Sequence, residues 1–388
     1  MNVLSRTDAP PYLDEDERNV LDSVRAFARK ELAPRAAEND STGSFPWKNV
    51  EGINNLGLNA MFIPAEFGGS PVSYGCYVAC VREISRACAA TGIIWATNFH
   101  ALKPVIDFGG LELKRGILPR MASGGLAALA ITEPNAGSDA TGMETSFREE
   151  GDMVVIDGGK CFITNGDVAD VYVIFGKWST IADPRAALSV VVMERGTPGL
   201  RFLRNEDKMG LRASSTTALA FERCKVPRRN VLGAPGGGLQ ILFASLNRSR
   251  PSIAAHALGI ARAALEAALE YINTRRQSGR RILEFQGIQF MVADLTAELV
   301  LCESFLWSLA RSIEAGTGDF SVEASILKMR ASDLAMRVTT DAVQLLGGYG
   351  YCRDYPLERL MRDAKVTQIW EGTNQVHRQL IGRSLLDR

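Results

Sequence analysis

Length, composition and charge already exclude several classes of protein. The 388 residues predict two or three domains, and a hydrophobic content of 46% excludes an intrinsically disordered chain. Lys and Arg total 44, as do Asp and Glu, so the net charge is zero and no general basic surface for nucleic acid is expected. Apolar runs fall short of the roughly 20 residues of a membrane span. The first residues also lack the apolar run of a secretory signal.

Cysteine and histidine usage argues against disulfides and metals. The seven Cys are scattered without a CxxC pair, which favours reduced thiols in a cytoplasmic protein. The three His (His100, His256 and His377) lie far apart in the chain, so no metal site is predicted.

Residues 1–122 are predicted to form a helical N-terminal domain. Asp14 is a candidate N-cap for a first helix, whose apolar residues recur at helical spacing. Pro34 is expected to end that helix, because proline cannot continue it. After a break rich in Gly and Pro, residues 74–108 are predicted to be further helix.

Residues 123–232 are predicted to form a middle β domain. Two β-prone runs, 153–156 and 161–164, flank Asp157-Gly158-Gly159 and predict a hairpin. Further short β-prone runs follow, so this block is interpreted as a small antiparallel barrel or sandwich.

Residues 233–388 are predicted to form a C-terminal helical domain. Helical periodicity returns after Gly236-Gly237-Gly238 and is interrupted at Gly347-Gly348 and Pro356. Several helices are apolar on more than one face, which favours a bundle that also packs against other subunits.

Phosphate-binding and nucleophile motifs are absent from the sequence. There is no GxxxxGK[ST], no GxGxxG between a strand and a helix, and no GxSxG. The Gly236–Gly238 run is interpreted as a flexible lead to a helix.

One acidic residue near the C-terminus is a candidate catalytic base. Glu371 lies between Trp370 and Gly372, and in isolation it reads as a surface or capping glutamate. The functional interpretation is a carboxylate beside an aromatic wall, with a backbone that a ligand can approach. Partial burial would raise its pKa and make it a better base near neutral pH.

A second candidate segment covers residues 130–139. Apolar residues lead into hydroxyls, a proline and a glycine, which is typical of a strand end and a turn. Functionally, its backbone N–H groups and the hydroxyls of Thr132 and Ser138 could bind a polar planar ligand.

Together, several segments resemble one family over nearly the whole chain. ITEPNAGSD, CFITNG, RRQSG, FQGIQFMVADL, DAVQLLGGYGY and YPLERLMRDAKVTQIWEGTNQVHRQLIGRSLL, in this order, are similar to the acyl-CoA dehydrogenase family. The resemblance implies an α+β, mainly α fold: a helical N-terminal domain, a small β-barrel middle domain and a C-terminal four-helix bundle. It also implies non-covalent FAD and, usually, a homotetramer.

The resemblance implies an activity and a base. Glu371 matches the family's catalytic base, which removes the α-proton of an acyl-CoA thioester while a hydride leaves the β-carbon for the flavin. The product is a trans-2-enoyl-CoA, and the electrons pass to an electron-transferring flavoprotein. Some relatives carry the base where this chain has Ser249, so Glu371 is the single candidate.

The other site residues are also implied by matched positions. The implied substrate-binding residues are Ser138, Asn247, Arg250, Trp370 and Gly372. The implied FAD-binding residues, some of them reaching across a subunit interface, are Leu129, Ile131, Thr132, Gly137, Ser138, Phe162, Ile163, Thr164, Arg275, Gln277, Gln286, Gln344, Leu345, Gly347, Gly348, Thr373 and Gln375.

Four positions depart from the usual family pattern. Asn247 replaces an aspartate, which puts its contact with the pantetheine arm in doubt, and Ser278 replaces a phenylalanine near the adenine. Trp370 replaces a tyrosine and should narrow or reshape the acyl cavity, whereas Phe162 is a familiar variation.

The sequence leaves more than one substrate class and more than one function open. The resemblance implies that the helix around 92–96 lies at the floor of the acyl cavity. This stretch has no charge, which favours a short to medium, uncharged acyl group, and Trp95 is expected to point into the core. One alternative is an acyl or peptidyl carrier-protein thioester in a biosynthetic pathway. The other is a non-enzymatic scaffold that keeps the fold.

Overall fold

The computed structural model describes residues 3–316 and 318–386. Its N-terminal part is helical, with short 3-10 turns at Val3–Thr7, Leu58–Phe62 and Ala65–Phe67. The helices are α1 (Glu15–Phe27), α2 (Ala33–Thr42), α3 (Trp47–Asn55), α4 (Tyr74–Ala87), α5 (Ala89–Phe108) and α6 (Leu111–Ala122).

The start of α1 confirms a predicted cap, whereas its end does not follow the prediction. The Asp14 side chain accepts a hydrogen bond from the Glu17 N–H at 2.8 Å. The helical path does not end at Pro34. A π-helical turn, Ala28–Leu32, joins α1 to α2, and Pro34 lies in the first turn of α2. Proline can lie there because the π-helical turn directly before it interrupts the regular series of α-helical hydrogen bonds that proline cannot continue.

The stretch predicted as one helix over residues 74–108 is two helices. Cys88 has extended backbone angles and separates α4 from α5. The two helices pack closely, since a Cβ on Gly92 would lie 2.1 Å from the Ser85 Oγ. Gly259 of the C-terminal domain meets α4 at the same level, where a Cβ would lie 2.4 Å from the Arg82 carbonyl oxygen. This close packing brings the helices of the two domains into one core.

The middle domain is a curled seven-stranded sheet, and it is not purely antiparallel. The order is β1-β4-β2-β3-β7-β6, with β5 paired to β4. Both β1 and β2 pair with β4 in parallel, which corrects the antiparallel prediction. The strands are β1 (Ala127–Ala130), β2 (Ser146–Glu150), β3 (Met153–Thr164), β4 (Val171–Trp178), β5 (Leu188–Glu194), β6 (Leu200–Asn205) and β7 (Thr216–Pro227).

The hairpin predicted at Asp157-Gly158-Gly159 was wrong, because β3 continues through these residues. The register with β7 shifts between Ile156 and Gly158, so the glycine marks a β-bulge. Gly158 has a φ of 140°, and a Cβ there would lie 2.7 Å from the Thr145 Cα. The glycine therefore permits a kinked strand where the sequence pattern indicated a turn.

The C-terminal domain is a helical bundle centred on one long helix. Helix α7 begins at Gly238, directly after the glycine-rich lead. It is long and apolar enough to cross a membrane by length and composition alone, yet 78% of that apolar window is buried inside the protein. The elements are α7 (Gly238–Thr274), a hairpin of β8 (Arg276–Gln277) and β9 (Arg280–Arg281), α8 (Gln286–Ala315), α9 (Ser321–Leu346), α10 (Gly348–Tyr351), α11 (Leu357–Lys365) and α12 (Asn374–Ser384).

Candidate active site

Glu371 lies in a sharp backbone turn between a 3-10 turn, Val366–Gln368, and helix α12. Its φ is 53° and that of Gly372 is 94°, so two successive residues are left-handed. This conformation is uncommon for a residue with a side chain and is often found at functional sites. Glycine is favoured at position 372 because a φ of 94° is strained for a residue with a side chain, and a Cβ there would also lie within 3.2 Å of the His377 Nε2. The turn ends at Thr373, whose hydroxyl accepts the Val376 N–H and caps α12.

The Glu371 carboxylate is a partly exposed acid with one hydrogen-bond donor. The Ser249 hydroxyl donates to its Oε2 at 2.6 Å. Removal from water raises the pKa of Glu371, while Ser249 and the positive charges of Arg250 and Lys328 act in the opposite direction. A carboxyl with a raised pKa is suited to proton transfer near neutral pH. The functional interpretation of Glu371 is thus favoured over a surface or capping glutamate.

Arg250 is a buried cation, and not all of its N–H groups have a hydrogen-bond partner. Its side chain is 5% exposed, its Nε has no partner among the described residues, and its Nη1 lies 3.4 Å from the Ser325 Oγ. Asn247 precedes it by three residues on α7, so the two lie on neighbouring positions of one helix face. The pair can therefore offer donors to a polar ligand next to Glu371.

Aromatic rings close the interior side of the site. Trp370 is half-buried, and its ring centroid lies 5.6 Å from that of His256 on α7. Trp95 is 1% exposed, and its ring centroid lies 5.4 Å from that of Tyr77, as expected for a core residue. Burial lowers the pKa of His256 to about 3, so this wall carries no positive charge at neutral pH.

The segment after β1 forms a loop beside the middle of β3, and an ion pair braces it. Lys160 Nζ donates to the Ile131 carbonyl at 2.9 Å and to Glu133 Oε1 at 2.7 Å. The Cys161 N–H donates to the Thr132 carbonyl at 2.9 Å. The predicted residues of 129–138 and 162–164 are therefore brought together, which agrees with one shared ligand surface. The sequence analysis missed Glu133 and Lys160, although Glu133 lies inside the quoted ITEPNAGSD motif.

Phe162 presents an aromatic ring at this surface. Its φ is 57° and its side chain is 63% exposed, although it lies within a strand. Thr132 and Thr164 are half-exposed beside it, whereas Ile163 is buried. Gly137 and Ser138 are exposed, and a Cβ on Gly137 would meet no atom within 4 Å. The loop thus leaves an apolar ring, hydroxyls and open backbone uncovered, which suits a planar polar ligand.

Four further predicted cofactor residues are exposed on the C-terminal domain. Arg275, Gln277, Gln286 and Gln344 are exposed, and the Arg275 guanidinium lies 5.8 Å from the Tyr349 ring centroid. Ser278 and Gly279 form the two-residue turn of the β8–β9 hairpin, with φ of 49° and 81°. Within residues 3–316 and 318–386, no hydrogen bond or ring contact joins this group to Glu371 or Phe162. Within the described residues, these two groups of predicted cofactor residues therefore make no direct contact with each other.

The other predicted cofactor residues lie at the end of α9 and on α12. Leu345 is buried, Gly347 and Gly348 are exposed beyond the end of α9, and Gln375 is exposed on α12. In the part of the chain that the structure describes, no group of three His, Cys, Asp or Glu residues could hold a metal ion.

Comparison with known proteins assigns the chain and its fold to one family. The chain matches the N-terminal, middle and C-terminal domains of acyl-CoA dehydrogenase over residues 14–125, 128–224 and 236–386, respectively. The chain belongs to the acyl-CoA dehydrogenase family, whose members are FAD-dependent oxidoreductases, so the predicted family and three-domain fold are confirmed.

Individual relatives are similar over almost their full length. An acyl-CoA dehydrogenase of Bacillus subtilis is 42% identical over 378 residues, which cover 97% of this chain and 99% of that protein. The solved butyryl-CoA dehydrogenase from Megasphaera elsdenii has a TM-score of 0.93 and 37% identity, covering 97% of this chain and 99% of that one. A chain from structural work on the electron transferring flavoprotein of Acidaminococcus fermentans also has a TM-score of 0.93, with 40% identity, 97% of this chain and 100% of that one covered.

Proposed function

We propose that the protein catalyses the FAD-dependent α,β-dehydrogenation of an acyl-CoA thioester to the trans-2-enoyl-CoA. The observation that carries this proposal is the Glu371 carboxylate, which is partly exposed, has a raised pKa and is held by Ser249. An α-proton beside a thioester is weakly acidic, so its removal needs a positioned base and a donor for the carbonyl oxygen.

The chain supplies both groups from one turn. Glu371 accepts the α-proton on its carboxylate, and the hydrogen bond from Ser249 to Oε2 fixes the side chain while the proton moves. Among the described residues, none accepts a hydrogen bond from the Glu371 N–H. That amide is therefore available to donate to the thioester oxygen as negative charge builds. Arg250 and Trp370, with Ser138, Asn247 and Gly372, would bind the thioester and the start of its acyl group.

Bound FAD would supply the acceptor for the hydride that leaves the β-carbon. The residues present fit this cofactor at two surfaces. Phe162, Thr132 and Ser138 offer a ring, hydroxyls and open backbone for a planar heterocycle. Arg275 is exposed and forms no ion pair within the described residues, so it is available to a pyrophosphate. The other proposed cofactor residues are Leu129, Ile131, Gly137, Ile163, Thr164, Gln277, Gln286, Gln344, Leu345, Gly347, Gly348, Thr373 and Gln375.

We infer that the protein is a homotetramer that completes each FAD site across a subunit interface. The lack of a direct contact between the two groups of proposed cofactor residues within the described part of one chain supports this inference. Exposed apolar side chains on α8, Phe290 at 61% and Leu301 at 68%, offer a face for a second copy. By similarity to the Acidaminococcus fermentans chain, the reduced enzyme passes electrons to an electron-transferring flavoprotein.

Domain boundaries and location follow as parts of the same proposal. The N-terminal, middle and C-terminal domains are assigned to 1–122, 123–232 and 233–388, which agrees with α6 ending at Ala122 and α7 beginning at Gly238. All seven Cys are free and five of them are buried, which supports a cytoplasmic location.

Anaerobic bleaching of the flavin tests the proposal directly. The purified holoprotein is mixed with acyl-CoAs from C4 to C16 and with branched and dicarboxylic ones, and its yellow absorbance is followed. Rapid bleaching by a short or medium uncharged acyl-CoA is the expected result. A preference for a dicarboxylic thioester would overturn the uncharged-pocket hypothesis. A yellow protein bleached only by a carrier-protein thioester would favour the first alternative, and a protein without flavin would favour the scaffold.

A further inference from the structure

A buried lysine lies directly behind the catalytic turn. Lys328 of α9 is 0% exposed, and its Nζ donates to the Gly372 carbonyl at 2.6 Å and to the Asn374 Oδ1 at 3.1 Å. Within residues 3–316 and 318–386 it forms no ion pair. A buried ammonium without an ion pair is costly, so its retention calls for a role.

The atoms that Lys328 holds are those that define the turn. The Gly372 carbonyl follows directly on the left-handed Glu371, and Asn374 begins α12 on the far side. Asn374 is itself held by α9, since its Nδ2 donates to Ser332 Oγ at 2.9 Å and to Asp333 Oδ1 at 2.8 Å. Helix α9 therefore contacts the C-terminal side of the turn at two residues, Gly372 and Asn374. Lys328 makes the contact with Gly372, which is next to the base.

Every charged neighbour of Lys328 belongs to the same small region. Glu371 of the turn and Asp333 of α9 stabilise its charge, while Arg250 of α7 opposes it. His377 of α12 also faces it but stays neutral, because burial lowers its pKa to about 3. Burial lowers the pKa of Lys328 itself to about 7, so its charge depends on the ionised state of Glu371.

We propose that Lys328 is a positioning residue for the reaction: its ammonium fixes the Glu371–Gly372 turn through the Gly372 carbonyl and helps to keep the base ionised. This inference rests on the proposed function, because it assigns a role relative to the proposed base. Loss of the ammonium would leave the Gly372 carbonyl unpaired and the carboxylate with one cation fewer. The turn would then relax, and the base would need a higher pH to ionise.

The test compares Lys328→Met, Lys328→Arg and a matched control, all as FAD-loaded holoproteins. Thr339→Val serves as the control, because Thr339 is buried on the same helix and its hydroxyl donates within that helix, to the carbonyls of Ala335 and Met336. The rate of anaerobic flavin bleaching per bound flavin, KM, and the pH profile of kcat/KM are measured with the best substrate of the wild type.

We expect Lys328→Met to lower kcat about tenfold or more with little change in KM, and to move the acidic limb of kcat/KM up by about one pH unit. Lys328→Arg should recover most of the rate, and Thr339→Val should match the wild type. Hydrogen exchange without substrate should rise in the peptide 369–374 of Lys328→Met but not in 357–365. If the methionine variant does not fold, Lys328→Gln, which keeps a donor but loses the charge, should show the same pH shift.

The result that overturns the proposal is a folded, FAD-loaded Lys328→Met or Lys328→Gln with the wild-type pH profile and exchange. Loss of flavin or fold with unchanged activity per bound flavin would also overturn it, as that is the behaviour of a core lysine with no link to the base. If the wild type is not bleached by any thioester, the proposed function fails instead. The two failures are therefore distinguishable.

Discussion

Two buried lysines hold the two ligand-facing loops of this protein, but they are compensated differently. Lys160 binds the Ile131 carbonyl of the proposed flavin loop and has its own carboxylate partner, Glu133. Lys328 binds the Gly372 carbonyl of the catalytic turn and is paired with no carboxylate in the part of the chain described. Burial lowers the pKa of Lys160 to about 8 and that of Lys328 to about 7.

The Lys160 contact is therefore expected to stay constant during the reaction, whereas the Lys328 contact is expected to respond to the charge of Glu371. The charge of Lys160 is fixed by a permanent partner, so the flavin loop should keep one geometry throughout the reaction. Glu371 is the acid that most stabilises the charge of Lys328, and its own charge changes when it takes a proton. The charge balance near the catalytic turn is thus linked to the chemistry, whereas the Lys160–Glu133 ion pair of the middle domain is independent of it.

The largest effect is expected at the base itself. Glu371→Gln keeps the size and the contact with Ser249 but cannot accept a proton. Flavin reduction should fall by about 10²- to 10⁴-fold while FAD and ligand still bind. Stopped-flow bleaching measures the rate, with the exposed Glu222→Gln as a control. Near-normal turnover would refute the assignment of Glu371.

The next largest effect is expected at the buried ion pair between Lys160 and Glu133. Lys160→Met leaves the buried Glu133 without its partner and should destabilise the fold by about 3–5 kcal/mol, with loss of FAD. Urea unfolding and the flavin-to-protein absorbance ratio measure both effects. The exposed pair Lys225–Glu150 provides the matched control, and Lys225→Met should leave the unfolding midpoint unchanged. A stable Lys160→Met that retains FAD would show that the loop needs no ion pair.

A moderate effect is expected at Ser249. Ser249→Ala removes the donor to Glu371 Oε2, which favours the protonated acid and raises the pKa of Glu371 further. The acidic limb of the kcat/KM profile should therefore move to higher pH by about one unit, which corresponds to about 1.4 kcal/mol. An unmoved acidic limb would show that this hydrogen bond does not act on the base.

The smallest effect on catalysis is expected from the three neutral histidines, whose burial acts on the pH dependence of stability. Burial lowers the pKa of His100, His256 and His377 to about 3. Unfolded His binds a proton near pH 6.5 while the folded form does not, so stability should fall as the pH drops from 6.5 towards 3 and be unaffected above that range. Each histidine adds at most about 1.4 kcal/mol per pH unit. Urea unfolding at pH 7.5 and 5.0 should show a smaller pH dependence for His100→Gln than for the wild type; an equal dependence would contradict the assignment.

Local signals in the sequence predicted those parts of the fold that depend on neighbouring residues. The Asp14 cap, the start of α7 after the glycine run and the breaks near Gly347 and Pro356 all follow from properties of a few adjacent side chains. The hairpin at Gly158 failed because a bulge and a turn both use glycine, and only the pairing with β7 decides between them. The end predicted at Pro34 failed because a π-helical turn lets the helical path continue to the proline.

Prediction of the candidate site was limited in the same way, because some of its features depend on residues that are far apart in the sequence. Glu371 was recognisable because its motif is contiguous, whereas Lys328 lies 43 positions away in an ordinary helix without a local signal. Its importance is visible only when folding brings its Nζ to the Gly372 carbonyl. Burial also depends on the tertiary structure, so the raised pKa of Glu371 could be expected but not demonstrated from the sequence.

The contact between Ser249 and Glu371 joins two positions that are 122 residues apart in the sequence. Some related enzymes place the proton acceptor at the position of this serine, and here its hydroxyl lies within one hydrogen bond of the acceptor. A single point in space is thus reachable from two unrelated stretches of chain. Two substitutions would therefore suffice to move the acidic residue from one stretch of chain to the other while its place in the structure stays the same. An alignment that follows only one of these two positions would then show the loss of an acidic residue, although the enzyme had only moved that residue to the other segment.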